Sequence, residues 1–386
     1  MSLVVHKYGG SSLATPAHIR RAAERVRAAR ELGHSIVVVV SAMGRTTDHL
    51  MRLSRKTVES PRPRELDMLL TSGERVSMSL LAMALDALGV PAISFTGSQS
   101  GILTDNHHTQ ARITDIRPHR IRDELTQNKV VIIAGFQGIS HEKEITTLGR
   151  GGSDTTAVAL ATALGAQECV IYTDVDGLFS ADPRLVPQAT RIARLNYEEA
   201  LELASLGAKM HPRSVDLARR HGVRLSVRSS FHHDGAGTQI TGEPLMEHAD
   251  VRAIATDDGF DYWEADASIT QLATMLETIG VGPRFFSASA RQIQFLAPKD
   301  HSGAVRALLE RHSNRVAQTP DIAVVSAVGN GLGSNPNVTR RFLEGIAEFE
   351  VLLVTINSLS ISAAIDRKHL KTAAQRLHSV LVANAR

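Results

Sequence analysis

The segment 147-TLGRGGSDTTAVALATALGAQECVIYT-173 joins a glycine-rich loop, an apolar helix pattern and an aliphatic strand pattern without a break. A glycine pair lets the backbone approach an anion closely, because no Cβ stands in the way. A helix beginning at Ser153 or Asp154 directs unsatisfied N–H groups and its positive dipole end at that anion. Arg150 adds a planar set of donors suited to carboxylate or phosphate. The segment therefore predicts a helix and then a strand, with an anion site where the helix begins.

The same alternation of strand and helix runs through the first 230 residues. Continuous Val and Ile runs are typical of strands buried on both faces, and intervening helices indicate a mainly parallel sheet with helices on each side. The predicted strands are Leu3–His6, Ser35–Val40, Ala92–Phe95, Lys129–Ala134, Glu168–Thr173 and Val223–Val227. The predicted helices are Pro16–Leu32, Arg75–Leu88, Asp154–Leu164, Tyr197–Ala204 and Pro212–His221. The predicted fold class of this part is α/β.

The C-terminal part has shorter units. Glycines and turn residues at Asp234–Gly237 and Gly242–Pro244 predict a linker. Two βαββα patterns follow, over residues 251–315 and 322–382, and predict a duplicated small α/β sandwich whose halves could pack sheet to sheet, within or between chains. Their predicted helices are Ser268–Ile279, Gly303–Arg311, Pro336–Ala347 and Lys368–Leu381, and their named strands are Arg284–Ser289, Gln292–Leu296, Ile322–Val328, Val351–Asn357 and Leu359–Ile365.

Composition excludes several classes of protein. At 386 residues we expect two or three domains, with about 150 residues each. The 43 basic and 40 acidic residues nearly cancel to +3 and aromatic residues make up only 4%, so we expect no nucleic-acid partner. The longest aliphatic run, Ile36–Val40, is far shorter than the ~20 residues of a membrane helix, so we expect no membrane partner.

Cysteine and histidine usage points to a cytoplasmic protein without a protein-held metal. The single cysteine, Cys169, excludes an intrachain disulfide, fits a reducing compartment and is expected to be a buried, inert thiol. The seventeen histidines show no metal-ligand spacing. We expect the pairs His107–His108 and His232–His233 to lie in surface loops.

Four other polar segments are interpreted, like residues 147–156, as lying where predicted strands end. They are Lys7–Ser12, Ser41–Asp48, Thr71–Arg75, and Thr173–Phe179 with Asp182–Arg184 behind it. Each alone has a plain structural explanation: a glycine turn, a helix N-cap, a first-turn glutamate or a pair of turns. A doubly wound sheet, however, would bring all of them to one edge beside residues 147–156. Together they supply lysine, arginine, amides and carboxylates, the groups that phosphoryl transfer by positioning and charge neutralisation requires.

Taken together, these segments resemble aspartate kinase. The resemblance covers roughly residues 3–245 and also rests on Ser94–Gln99, Gly135–Gly138 and Leu203–Val215. It is closest to the short bacterial form that lysine and threonine regulate. It implies an amino-acid-kinase catalytic domain over residues 1–245, followed by two small α+β ACT-like modules. These are a degenerate module at 250–315 and a second at 316–386, completed by the strand near 251–256.

The resemblance also implies an activity and a site. The reaction is ATP-dependent phosphorylation of the L-aspartate side-chain carboxylate to 4-phospho-L-aspartate with Mg²⁺, the first step toward lysine, threonine and methionine or a dedicated pathway. The implied catalytic residues are Lys7, Arg150 and Asp154, with Asp154 ordering the lysine. The implied ATP-binding residues are Lys7, Gly9, Gly10, Ser41, Thr173, Asp174, Phe179, Asp182, Arg184 and Lys209. The implied substrate-binding residues are Thr47, Glu74, Arg150, Gly152, Ser153 and Asp154.

Departures from the family pattern concentrate in the tail. In the catalytic part, Phe179 replaces a tyrosine, and the chain is one residue shorter around Lys209. In the tail, Asp266–Ser268 replaces an Asp-Lys-Pro-Gly loop, a Gln-Asn stretch is missing near Val281–Ser287, and Leu352–Leu353 replaces Asn-Ile. Because buried effector charges need polar partners, we expect feedback by lysine or threonine to be weakened or absent.

Two alternative functions remain open on the sequence. Thr47, Glu74 and Arg150 recognise features that many amino acids share, so the chain could phosphorylate a related amino-acid carboxylate. A non-catalytic ACT protein that senses amino acids is the other alternative, and the presence of Lys7, Arg150 and Asp154 argues against it. Paired ACT modules imply a homo-oligomer.

Overall fold

A computed structural model of the chain describes residues 2–232, 235–242, 251–267, 270, 284–289, 292–313 and 315–383. The helix predicted over Ser268–Ile279 lies outside the described residues, apart from Thr270, and so do residues 233–234 and 243–250 around the predicted linker. The chain divides into two compact units. The first contains residues 1–178, 191–204 and 209–244, and the second contains residues 179–190, 205–208 and 245–386.

The first unit is built on an eight-stranded sheet. The strands along residues 2–242 are β1 (Leu3–Tyr8), β2 (Ser35–Val40), β3 (Ala92–Phe95), β4 (Ile102–Thr104), β5 (Ile113–Ile116), β6 (Val130–Ala134), β7 (Gln137–Ser140), β8 (Ile145–Thr147), β9 (Glu168–Thr173), β10 (Arg194–Asn196), β11 (Leu225–Ser229) and β12 (Thr238–Thr241). The large sheet has the order β10-β12-β11-β9-β1-β2-β6-β3. Every neighbouring pair is parallel except β11–β12. The predicted mainly parallel α/β fold is confirmed.

Helices cover both faces of this sheet. The helices of residues 2–242 are α1 (Pro16–Glu31), α2 (Thr46–Thr57), α3 (Pro63–Leu70), α4 (Ser72–Ala87), α5 (His119–Thr126), α6 (Gly152–Leu164), α7 (Tyr197–Ser205) and α8 (Pro212–His221). The apolar sides of α1 and α4 pack on β1, β2 and β6 in one core, while α6 contacts β1, β2 and β9. The middle strands are buried along almost their whole length because both faces are covered.

A second, four-stranded sheet of the order β5-β4-β7-β8 was not predicted. Its strands have only three or four residues each, too few for a hydrophobic period to emerge. It matters for the site because β8 leads directly into residues 148–151. The buried, free thiol of Cys169 lies in β9, as predicted, and burial raises its pKa.

The second unit contains one antiparallel sheet of six strands. These are β13 (Val251–Ala265), β14 (Arg284–Ala288), β15 (Ile293–Pro298), β16 (Val316–Gly329), β17 (Val351–Ile356) and β18 (Ser360–Asp366), in the order β14-β15-β13-β16-β18-β17. The described helices are α9 (Ser302–His312), α10 (Pro336–Ile346) and α11 (Leu370–Leu381). The two βαββα halves therefore join edge to edge through β13 and β16, instead of stacking sheet on sheet. The module boundaries at 250–315 and 316–386 stay predictions.

Residues 179–190 contribute to the core of the second unit. Ala181 and Val186 are buried with side chains of β16, β18, α10 and α11. The Ser180 hydroxyl lies 2.9 Å from Nε2 of His378, and the Gln375 side-chain amide donates to the Leu185 carbonyl at 2.8 Å. No helix of the described residues is long and apolar enough to cross a membrane.

Candidate active site

The loops at the carboxyl ends of β1, β2 and β9 lie side by side. The strand register places Lys7 of β1 beside Val39 of β2 and Ile171 of β9. Beyond the strands, the Ser41 N–H donates to the Tyr8 carbonyl at 3.1 Å, and the Gly9 N–H donates to the Tyr172 carbonyl at 3.3 Å. Three of the polar segments singled out in the sequence therefore share one edge of the sheet.

Lys7 forms a buried ion pair at this edge. Its ammonium lies 2.7 Å from Oδ1 of Asp154, and both side chains are largely shielded from solvent. The ammonium approaches this oxygen at an angle unsuited to a hydrogen bond. Oδ1 of Asp154 therefore accepts no hydrogen bond from the described residues. The pair joins the end of β1 to the first turn of α6. It brings together two residues that are 147 positions apart.

The start of α6 offers free backbone donors. Gly151 precedes the helix in the left-handed region at φ 69°, and a Cβ there would lie 2.0 Å from the His211 ring. Only glycine fits that turn. Neither Ser153 N–H nor Asp154 N–H donates to a backbone carbonyl outside the helix within the described part of the chain. Two amides and the positive end of the dipole thus lie beside the Lys7 ammonium.

Arg150 is exposed in the loop that precedes α6. Among the described residues it has no ion pair or side-chain hydrogen bond. The loop itself is well held, because the Leu148 N–H donates to the Phe136 carbonyl at 2.9 Å and Arg213 donates to the Leu148 carbonyl at 2.6 Å. A guanidinium on an anchored loop is available for a ligand carboxylate.

Glu74 is the most unusual carboxylate of this edge. It lies in the first turn of α4 and is 3% exposed. Its Oε1 accepts the Ala42 N–H at 3.0 Å, whereas Oε2 has no hydrogen-bond partner among the described residues. Burial raises its pKa from 4.5 to about 7. Such a carboxylate would gain strongly from a cation, and no described side chain provides one.

Asp174 and Lys209, both predicted to bind ATP, form an ion pair with each other. The Lys209 ammonium donates to both carboxylate oxygens of Asp174, at 2.8 and 2.9 Å, and the Thr173 hydroxyl donates at 3.1 Å. Partial burial opposes the charged form of Asp174, but the Lys209 contact outweighs it and lowers the pKa of the carboxyl. The assignment of both residues to ATP stays a prediction.

The other predicted residues lie as follows. Thr47 is half-buried in the first turn of α2. Gly10 packs closely on the loop after β2, where a Cβ would lie 2.9 Å from the Gly44 carbonyl. Phe179, Asp182 and Arg184 belong to the second unit, in which the Arg184 guanidinium donates to both oxygens of Asp182 at 2.6–3.1 Å.

A buried cluster around Asp67 was missed in the sequence. The fully buried Asp67 of α3 accepts the Thr147 hydroxyl at 2.5 Å and the Thr109 N–H at 3.1 Å, and lies 2.6 Å from Nδ1 of His108. His108 lies in a loop, as predicted, but its side chain is only 20% exposed because it contacts the buried Asp67, whereas His107 is exposed as predicted. No sequence spacing signals this contact, because its partners lie 41 to 80 residues apart.

The described residues contain no group of three or more His, Cys, Asp or Glu side chains that could hold a metal ion. The edge instead combines a shielded lysine, helix amides, an available arginine and a lone buried carboxylate. These groups can neutralise a phosphoryl group and bind an amino acid by both of its charged ends.

Comparison with known proteins agrees with this chemistry. The model of the amino acid kinase family matches residues 2–229. An aspartokinase of Corynebacterium efficiens is 42% identical over 98% of this chain and 96% of its own length. An aspartokinase of Thermus thermophilus is 40% identical over 98% of both chains. The structure of E. coli aspartokinase III in complex with aspartate and ADP, at 23% identity, shares the fold with a TM-score of 0.84 over 98% of this chain and 99% of that one. The chain belongs to the amino acid kinase family and, within it, to the aspartokinases.

Proposed function

We propose that the chain transfers the γ-phosphoryl group of ATP to the side-chain carboxylate of L-aspartate, giving 4-phospho-L-aspartate and ADP. The observation that carries the proposal is the shielded Lys7–Asp154 pair, 2.7 Å apart, at the N-terminus of α6. Asp154 holds the lysine in place and the lysine remains able to approach an anion. A phosphoryl group entering there would meet a fixed ammonium and the free amides of Ser153 and Asp154.

The chemistry needs little beyond position and charge. The acceptor carboxylate is already ionised at neutral pH, so no general base is required. Lys7 would neutralise charge that builds up on the transferring oxygens, and Gly9 and Gly10 would line the phosphates with backbone. A preorganised, partly dehydrated site strengthens each of these interactions.

Substrate recognition would use the two isolated charges of the edge. Glu74 would bind the aspartate ammonium through its unpartnered Oε2. Arg150 would bind a substrate carboxylate in a bidentate manner. We assign Thr47 and the backbone of Gly152 and Ser153 to the remaining contacts with the amino acid. An amino acid that lacks either charged end would leave a buried or anchored charge unsatisfied, which is the basis of selectivity.

The nucleotide would be bound by residues of several loops. In the first unit we assign Ser41, Thr173, Asp174 and Lys209 to it, and the Asp174–Lys209 contact supports their common role. The assignment of Phe179, Asp182 and Arg184 rests on the sequence resemblance. Phe179 would offer a ring for packing without the usual hydroxyl.

Mg²⁺ fits this residue set as a companion of ATP. Mg²⁺ typically takes most of its oxygen ligands from phosphates and water and only one or two from carboxylates. A dedicated three-carboxylate cage is therefore not needed, and Asp154 is the candidate protein ligand through its second carboxylate oxygen, while Oδ1 holds Lys7. When bound, the ion would neutralise phosphate charge and orient the leaving group.

The test is acyl-phosphate trapping by hydroxylamine with aspartate, glutamate and aspartate analogues lacking one charged end, alongside ADP release. We expect turnover with aspartate and little with the others. Turnover of a different amino acid would identify the chain as a kinase of that acceptor. Absence of ADP release with every acceptor would refute catalysis and favour an amino-acid sensor.

We further propose a cytoplasmic homo-oligomer with weakened feedback. The E. coli aspartokinase III structure in its T-state contains lysine. Here Leu352 and Leu353 pack against an apolar cluster where an effector would need polar partners. Val354 and Ile356 of the edge strand β17 are 38% and 47% exposed, which favours association through this edge.

The weakened feedback is tested by inhibition assays. We expect little inhibition of the unmodified chain at saturating lysine plus threonine, and more after Leu352→Asn with Leu353→Ile. Strong concerted inhibition of the unmodified chain would contradict the weakened feedback.

A further inference from the structure

A cavity of about 560 Å³ lies within the first unit, away from the candidate active site. Its walls come from α1 and from strands β1, β9, β10, β11 and β12 with their flanking residues. Its volume lies in the range of small-molecule sites. None of the residues given a role above borders it.

The cavity and Lys7 lie on opposite faces of the sheet. His6 borders the cavity, whereas the next residue, Lys7, pairs with Asp154 of α6. Successive side chains of a strand point to opposite faces. A ligand in the cavity would therefore be separated from the proposed aspartate site by the sheet itself.

The charge of the cavity wall is strongly positive. Four arginines border it: Arg25, Arg194, Arg224 and Arg228. The only carboxylate among the described lining residues is Glu168, whose Oε1 lies 3.5 Å from Nη2 of Arg228. Among the described lining residues, four cations and one anion sum to a net charge of +3 before any histidine is counted. Like charges gathered around one space favour an anion within it.

Several buried nitrogen atoms of the wall lack partners. Nδ1 of His6 and the Nε atoms of Arg25 and Arg228 have no hydrogen-bond partner among the described residues. Burial, followed by the charges of Arg228 and Arg25, lowers the pKa of His6 to about 3, so its ring is neutral. A buried charged group without a partner is costly, and an anion bound in the cavity would offset part of that cost for Arg25 and Arg228 through its charge.

The guanidinium of Arg25 is held in place before any ligand arrives. It lies 4.8 Å from the centroid of the Tyr172 ring, and its Nη2 donates to the His232 carbonyl at 3.0 Å. Preorganised guanidinium groups suit phosphate and carboxylate oxygens, which they can contact with two parallel hydrogen bonds.

We propose that this cavity is a binding site for a small oxyanion with two or more negative charges, a phosphorylated or polycarboxylate metabolite. Two or more charges are needed to balance the arginines. The polar character of the wall and the volume favour such a ligand over an apolar one.

The test is calorimetric titration of the full chain with pyrophosphate and, separately, with citrate, in saturating ADP and aspartate so that the proposed catalytic site is filled. The test variant is Arg224→Gln with Arg228→Gln. Its matched control is Arg27→Gln, which changes an exposed arginine of α1 outside the cavity. We expect at least one probe to bind, roughly tenfold or more weaker in the test variant and unchanged in the control.

Binding of pyrophosphate alone identifies phosphate chemistry, and binding of citrate alone identifies carboxylate chemistry; either supports the site. No heat with either probe at millimolar concentration overturns it. Equal weakening in Arg27→Gln, or loss only in Lys7→Ala, also overturns it by placing binding elsewhere. Should the double variant not fold, Arg194→Gln at an exposed position gives the same comparison. The titration requires no turnover, so its outcome is separate from that of the kinase assay.

Discussion

Replacing Glu74 by glutamine should weaken catalysis and strengthen the fold at the same time. The side chain is 3% exposed, and one of its two oxygens has no partner among the described residues. The shift of its pKa from 4.5 to about 7 corresponds to about 3 kcal/mol of folding free energy lost at alkaline pH, at 1.36 kcal/mol per pH unit. Glutamine can still accept the Ala42 N–H but buries an unpaired amide, so we expect a net gain of about 1–2 kcal/mol.

The sign and pH window of the stability effect follow from the raised pKa. Between pH 4.5 and about 7 the folded chain holds a proton on Glu74 that the unfolded chain has released, so stability falls as pH rises. Glu74→Gln should therefore have a Tm several degrees higher, about 2–4 °C per kcal/mol, at pH 8. The difference should shrink toward pH 5. Thermal melts at both pH values measure it, with the exposed residue Glu65 changed to glutamine as the control.

The loss of transition-state stabilisation in Glu74→Gln should be similar in size to the roughly 3 kcal/mol cost of burying the Glu74 charge. Removing the charge that binds the substrate ammonium costs about 3 kcal/mol, roughly a 100-fold fall in kcat/KM for aspartate with the KM for ATP little changed. Coupled assays of ADP release provide both constants. A variant that is less stable than the unmodified chain at pH 8, or that keeps its kcat/KM for aspartate, would refute the assignment of an isolated buried carboxylate to the substrate.

Three further outcomes are expected. In the unmodified chain, kcat/KM for aspartate should fall about tenfold per pH unit below pH 7, because Glu74 becomes protonated. Glu74→Gln should flatten this pH profile. A parallel decline in the unmodified chain and the variant would place the titrating group elsewhere. Lys7→Ala should lower kcat at least about 100-fold and destabilise the fold, because Asp154 loses the partner of its shielded charge. Adding Asp154→Asn should restore the stability but not the activity, which melts and turnover assays would show. Near-normal turnover of Lys7→Ala would remove Lys7 from the mechanism. Gly151→Ala should lower the free energy of unfolding by more than about 2 kcal/mol and disrupt activity, because the new Cβ meets the His211 ring. The control Gly165→Ala has a similar φ of 67° but open space around it, and should cost about 1 kcal/mol in denaturant titrations. Equal losses of stability would show that the His211 contact is unimportant.

The sequence predicts the large sheet well because burial dictates its composition. β2 and β6 are continuous Val and Ile runs, and both are covered by helices. The helix start at residues 152–154 also follows from local rules, since glycines and first-turn polar residues define it. Helix α4 begins at Ser72, before the predicted Arg75, and only Thr71 separates it from α3.

Other features depend on contacts that no local pattern encodes. The edge-to-edge pairing of β13 and β16 was not predicted, because alternating side chains indicate which face of a strand is buried but not which strand lies beside it. The Asp67 cluster joins three distant segments through single polar contacts. The lone oxygen of Glu74 likewise emerges only when the surrounding loops are in place, since its neighbour Ala42 is 32 residues away.

The position of residues 179–190 bears on how the chain can be cut into fragments. In sequence this segment interrupts the first unit, yet Ala181 and Val186 are core residues of the second unit, and Ser180 contacts His378 there. A single cut after residue 244 would therefore not separate the two units. The N-terminal fragment would keep Ala181 and Val186 but lose the side chains that bury them, and these apolar residues would be exposed to water.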